Sequence, residues 1–200
     1  MCNTDTNGHY EIVDSQYRNE ANVIFDDLDA FQKRHGEENL AHMSVKRHYN
    51  LEVAIRLGYN NVNKNNHGWT ALDDTGRPLV VKTNRLGSDS WVANFADSSK
   101  DKILEFGKKK VEVALAVVNG ANTIEFIVHG YNDQIPQRLL AQYNKAMNTG
   151  GKRHSQVFTL GRMLFIGGFT IKCVNMSQND VEALLKARYP RLSVTNSMFD

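Results

Sequence analysis

Residues 111–130 read VEVALAVVNGANTIEFIVHG, two apolar runs on either side of Asn119-Gly120. Asn-Gly is the dipeptide that tight hairpin turns prefer, because such turns need positive φ at their central residues. Two consecutive strands follow from this, and the rest of the chain has to be arranged around them. The flanking sequence supplies helices. After a polar leader over residues 1–15, Tyr17, Ala21, Ile24, Leu28 and Phe31 recur at helical spacing and stop before Gly36. A second helical segment covers residues 37–57 and ends at Gly58, a natural residue just past a helix. "SSKDKILEFGKKK" opens on a serine suited to an N-cap, "QIPQRLLAQYNKAM" holds Pro136 in its first turn, and "SQNDVEALLKARY" runs from Ser177 to just before Pro190. "QVFTL", "MLFI" and "GFTIKCVN" read as further strands, and residues 60–67 as a polar, turn-rich connection. The expectation is an α/β fold, a mixed central sheet flanked by helices, in a single domain over residues 1–200.

Composition narrows the function classes. Two hundred residues suffice for one domain with a sizeable core. The 41% hydrophobic content suits a globular chain, and no apolar run approaches the roughly 20 residues a bilayer span needs. "MCNTDTNGHYEIVDS" lacks a basic region followed by an apolar stretch, so no export signal is expected. Cys2 and Cys173 lie far apart and form no CxxC or Cys/His ligand set; they read as free thiols in a reducing, cytoplasmic setting. A net charge of +2 permits a nucleic-acid partner without arguing for one. No phosphate-cradling Walker loop, GxGxxG or GxSxG is present. His48, His129 and His154 show no metal-ligand spacing, and "NNHG" at 65–68 lacks the companion residues of a histidine nuclease.

A second hairpin carries the chemistry. "GWTALDDTGRPLVVKTNR" at 68–85 is a strand, a turn built on Asp, Asp and Gly, and a strand in which Lys82 interrupts an apolar run. A lysine there is costly in a central strand and points to a role, unless it protects an edge. A helix bearing Glu52 in "NLEVAIRLGY" precedes the hairpin, and a helix and the strand at 111 follow it. That order, helix, strand, turn, strand with a terminal lysine, helix, strand, resembles the core of the PD-(D/E)xK nuclease superfamily, which includes restriction endonucleases and Holliday-junction resolvases. The resemblance covers about residues 45–130.

It implies a restriction-endonuclease-like sheet, a DNA partner, a possible homodimer and Mg²⁺-dependent phosphodiester hydrolysis. In such chemistry carboxylates hold the ion, the ion generates hydroxide, and an ammonium helps orient the water. On this pattern Lys82 takes the place of the lysine and Glu52 that of the helix glutamate. Thr70 and Val80 stand where the family carries its two acids, and an isopropyl group cannot bind Mg²⁺. Asp73 and Asp74 could complete a metal set with Glu52 on a slipped or bulged strand, leaving Glu52, Asp74 and Lys82 as the catalytic group. Alternatively, Asp-Asp-Thr-Gly is ordinary turn chemistry and Glu52 a solvent-facing carboxylate. Basic residues also gather at 46–48, at 108–110 and in "GGKRHSQ" at 150–156. Arg85, Lys152, Arg153 and His154 are the expected phosphate contacts, with a solvated charged loop as the alternative for the last three. The expected function is DNA binding of restriction-endonuclease type, as a Mg²⁺-dependent endonuclease with a non-standard site. The alternative is an inactive pseudo-nuclease that binds DNA or a protein partner.

Overall fold

A computed structural model of the chain describes residues 10–12, 15–35, 42–63, 69–96, 98–119, 123–150 and 154–200. In chain order the elements are β1 (Tyr10–Ile12), α1 (Ser15–His35), α2 (His42–Arg56), β2 (Asn61–Asn63), β3 (Ala71–Leu72), β4 (Pro78–Arg85), β5 (Val92–Ala96), α3 (Lys100–Lys108), β6 (Glu112–Val118), β7 (Ile124–Gly130), α4 (Gln134–Asn148), β8 (Ser155–Thr159), α5 (Leu160–Ile166), β9 (Phe169–Cys173) and α6 (Gln178–Arg188), with a 3-10 turn at Asn196–Met198. Seven strands form one sheet in the order β1-β2-β3-β4-β6-β7-β9, and β5 pairs with β8 in a separate ribbon. The architecture is mixed α/β, as expected. Only β4 and β6 run parallel, and α3 lies on the crossover between them.

The strands at 112–130 occupy the interior. Every residue of β6 is buried, and a strand covered on both faces reads as the continuous apolar run seen in the sequence. Its alternate residues serve two cores. Val113, Leu115 and Val117 join Phe106 and Ile103 of α3 and Ile135 and Leu139 of α4. Ala114, Ala116 and Val118 join Tyr49, Val53 and Ala54 of α2 on the opposite face. The same alternation places Leu79 and Val81 of β4 on the α2 face, while Val80 packs on the α3 face. Local signals held at the helix ends: Ser99 Oγ accepts from Lys102 N, Ser177 Oγ accepts from Asp180 N, and Gly58 sits at φ 81°.

Three stretches differ from the reading above. "MLFI" lies in α5, a helix capped by Thr159, whose side chain accepts from Arg162 N. Leu160, Gly161, Met163 and Leu164 are its buried positions, a helical period that four apolar letters cannot display. Residues 61–63 pair as β2 between β1 and β3, although only Val62 is buried; neighbouring strands, not propensity, hold them extended. Residues 92–96, which carried no sequence expectation, form β5. Cys173 is a free thiol, and Cys2 lies outside the described residues. Among the described residues no helix is long and apolar enough to cross a membrane.

At the end of β7 two backbones meet. A Cβ on Gly130 (φ 149°) would lie 2.1 Å from Gly168 O, and one on Gly168 (φ 75°) would lie 2.4 Å from Tyr131 O. The absent side chains let Tyr131 N donate to Gly168 O at 3.0 Å, closing β7 against the turn before β9. Gly130→Ala should therefore lower stability by about 2–4 kcal/mol. A shift of the urea midpoint at constant slope would report it; a midpoint within error of the wild type would contradict this account.

Candidate functional site

The register of the second hairpin defines the site. Ala71 pairs with Leu79, and Thr70 N donates to Leu79 O at 2.8 Å, which sets Thr70 across from Val80. Thr70 Oγ1 accepts from Val81 N at 3.1 Å. β4 continues along β6 as far as Arg85, whereas its pairing with β3 covers only Pro78 and Leu79. Lys82 thus lies on the part of β4 that β3 does not flank. A cavity of about 260 Å³ opens there on the α3 face. Thr70, Val80 and Lys82 line it together, with Asn50 of α2 and Lys102 of α3. These are the three hairpin positions at which the resembled family places acid, acid and lysine, and they converge on one space.

The cavity has a definite electrostatic character. Lys82 Nζ lies 5.1 Å from the ring centre of Phe95, and Lys102 Nζ lies 5.6 Å from that of Trp69, both rings being buried lining residues. Such contacts steady an ammonium group against an apolar wall. Asn50 Oδ1 is buried with no hydrogen-bond partner, and among the described residues no Asp or Glu lines the space. Two cations and an open acceptor face the same volume. Lys102 was not anticipated; in "SSKDKILEFGKKK" it is one lysine among several, and only the fold brings it beside Lys82.

Two of the three carboxylates expected to hold Mg²⁺ are engaged elsewhere. Arg18 donates to Glu52 through Nε at 3.0 Å and Nη2 at 2.9 Å, and Arg56 Nε lies 3.5 Å from the same carboxylate. This fork-to-carboxylate pairing is a strong, directional arrangement, and it ties α1 to α2. Asp73 Oδ1 accepts from Thr75 N at 2.9 Å, Thr75 Oγ1 at 2.7 Å and Arg77 N at 2.8 Å, the bonding of an Asx turn. Burial pushes the Asp73 carboxyl up, but those hydrogen bonds outweigh it and hold the group below its ordinary 3.8. Asp74 is exposed in the same turn. None of Glu52, Asp73 and Asp74 lines the cavity with Lys82, so among the described residues the donor set there does not fit Mg²⁺. Among the described residues no group of three or more His, Cys, Asp or Glu could hold a metal ion.

The expected phosphate contacts divide. Arg85 is exposed at the end of β4, outside the cavity lining. His154 is buried, with its ring edge-on to Tyr143 at 5.2 Å, which sets it in the packing of α4 rather than on a phosphate-facing surface. Lys152 and Arg153 lie outside the described residues.

A second polar group sits at the start of β6, beside Leu79 of β4, and was not read from the sequence. Glu112 Oε1 lies 2.7 Å from His129 Nδ1, while Oε2 accepts from Tyr59 OH at 3.0 Å and faces Arg77 Nη1 at 3.2 Å. His129 Nε2 lies 3.2 Å from both Asp200 Oδ2 and Thr170 Oγ1. Burial pushes the Glu112 carboxyl up, yet the bond from His129 prevails and holds it below 4.5. Burial pushes His129 down, yet its bond to Glu112 holds it above 6.5. Burial, and then the Glu112 charge, raise the Tyr59 phenol. The signal available was a glutamate within "VEVALAVV", which a buried strand must pair. These groups satisfy one another and hold β6, β7 and β9 together. The sequence matches no protein-family model and no curated protein.

Proposed function

We propose that the chain binds DNA on a restriction-endonuclease-like scaffold whose former catalytic cavity carries neutral side chains in place of acids, that is, a pseudo-nuclease. One observation carries this reading: Thr70, Val80 and Lys82 line a single cavity in the positions of the resembled acid, acid and lysine. The order α2, β2, β3, β4, β5, α3, β6, with β6 parallel to β4 and β5 set apart in the separate ribbon, supports the same lineage. The chemistry follows from the lining. Lys82 and Lys102 attract a phosphate, and Thr70 and Val80 offer nothing that would recruit a hard cation to it. The phosphate is held and its ester bonds are left intact. An endonuclease with displaced ligands would require Glu52 to leave Arg18 and Asp73 to abandon its turn.

A supercoiled plasmid separates the two. The wild type should bind it and leave it supercoiled at every Mg²⁺ or Mn²⁺ concentration. Lys82→Ala and Lys102→Ala should each weaken binding and make its salt dependence shallower by roughly one unit. Metal-dependent nicking by the wild type that disappears in Asp73→Ala would restore the endonuclease. Unchanged DNA affinity in the doubly substituted chain would remove DNA from the cavity.

A further inference from the structure

We infer that residues 195–200 form a strap along the outer edge of β9, closed while the His129 ring carries two N–H groups and released when it carries one. β9 ends the order of the seven-stranded sheet, with β7 on its inner side. The strap meets the outer side through a parallel bridge of Phe199 to Ile171, and Asp200 N donates to Ile171 O at 3.1 Å. Its packing is light. Thr195, Asn196, Ser197 and Asp200 are exposed, while Met198 and Phe199 are half-buried against the α3-side core. Gln178 Nε2 adds a hydrogen bond to Asn196 Oδ1 at 3.2 Å.

The control lies in the hydrogen inventory of one ring. A neutral imidazole has one N–H and an imidazolium has two. His129 stands between two carboxylates, with Glu112 Oε1 2.7 Å from Nδ1 and Asp200 Oδ2 3.2 Å from Nε2. The charged ring donates to both. On losing a proton it keeps the hydrogen on Nδ1, because Glu112 is the nearer carboxylate and the more buried, with side-chain exposure of 10% against 37% for Asp200. Nε2 then presents a lone pair. It repels Asp200 and accepts instead from Thr170 Oγ1 on β9, which already lies 3.2 Å away. The neighbouring groups keep their charge near neutral pH. Tyr59 and Arg77 sit on the other oxygen of Glu112, the phenol raised by burial and then by the Glu112 charge. Burial, and then the Asp200 charge, hold the Cys173 thiol above 9.0. Lys172 Nζ, 3.9 Å from Asp200 Oδ2, is too far for a hydrogen bond and does not fix the carboxylate. Release leaves Ile171 O and the outer edge of β9 open to an added strand.

The test is a pH titration of the isotope-labelled full chain by NMR, following the His129 ring and the Asp200 amide. Amide protection, taken relative to an unstructured peptide at the same pH, should fall roughly three- to tenfold with the midpoint of the ring, the effect of losing one part-exposed charged contact. Asp200→Asn should make the protection independent of pH, since an amide accepts from the Nε2 hydrogen and donates to the Nε2 lone pair. Thr170→Val removes the replacement donor, so it should raise the ring's midpoint and carry the release upward with it. Constant Asp200 protection through the ring's titration would overturn the strap. So would release at the wild-type midpoint in Asp200→Asn, or a Thr170→Val ring that titrates with the wild type.

Discussion

Glu112→Ala should lower the unfolding free energy by about 3–5 kcal/mol, the range for removing one partner of a buried ion pair. The carboxylate has side-chain exposure of 10%, against 17% for His129 and 40% for Arg77. Its removal leaves the Tyr59 hydroxyl and His129 Nδ1 without their acceptor in a buried setting, while Arg77 recovers water and loses little. Equilibrium urea unfolding measures the change, and a loss below about 1 kcal/mol would mean that water replaces the carboxylate. The pair also sets a pH window. His129 titrates above 6.5 in the fold, so its contribution is complete below 6.5 and is lost as pH rises through the folded value. Glu112 titrates below 4.5, so its contribution is present above 4.5 and is lost as pH falls through the lowered value. Both are in force between pH 4.5 and 6.5. The melting temperature of the wild type should fall on the alkaline side of that window, and His129→Gln should flatten the fall. A wild-type profile as flat as that of the variant would detach the pair from stability.

Thr70→Asp with Val80→Glu should turn the chain into a metal-dependent nicking enzyme. The two substitutions restore the acids at the spacing of the resembled family, in the cavity that already holds Lys82. An aspartate at 70 can still accept from Val81 N, as the threonine hydroxyl does, so the hairpin has little reason to shift. Nicking should exceed the wild-type background by roughly a hundredfold, which about 3 kcal/mol of metal-ion stabilisation of the transition state provides. Two facing carboxylates repel, so the variant should melt lower than the wild type without metal and recover with Mg²⁺ by mass action, as a bound ion requires. Nicking should vanish on adding Lys82→Ala. A double variant that folds, binds DNA and nicks no faster than the wild type would break the link between this cavity and nuclease chemistry.

How much of this was legible depended on how local each signal was. Ser99, Ser177 and Gly58 act within one turn of themselves, and the helix ends they mark were read directly. The strands of 112–130 declared themselves because burial on two faces leaves no polar positions to confuse the pattern. α5 did not, since its period emerges only when Leu160 is counted with "MLFI", and β2 did not, since Asn-Val-Asn is extended by its neighbours. Lys82 was legible because a charge within an apolar strand has to be answered. Its partner Lys102 was not, because the Trp69 ring that receives it lies far back along the chain. The acids were harder to place: Asp73 and Asp74 are near Lys82 in sequence, but Asp73 accepts from Arg77 N within its turn and neither residue lines the cavity.

The attachment of α1 has its own consequence. Val23 and Ile24 are 63% and 64% exposed, and among the described residues the helix is held by the Arg18–Glu52 pair, a stack of Phe25 on His48 at 4.1 Å and Ala21 at the margin of the second core. The sheet, by contrast, is closed by two hydrophobic cores. Amide exchange should therefore be hierarchical: α1 releases its protons through local opening, whereas β6 and β7 wait for global unfolding. Such an exchange pattern would make the molecule a rigid sheet with one helix that detaches and returns while the rest stays folded.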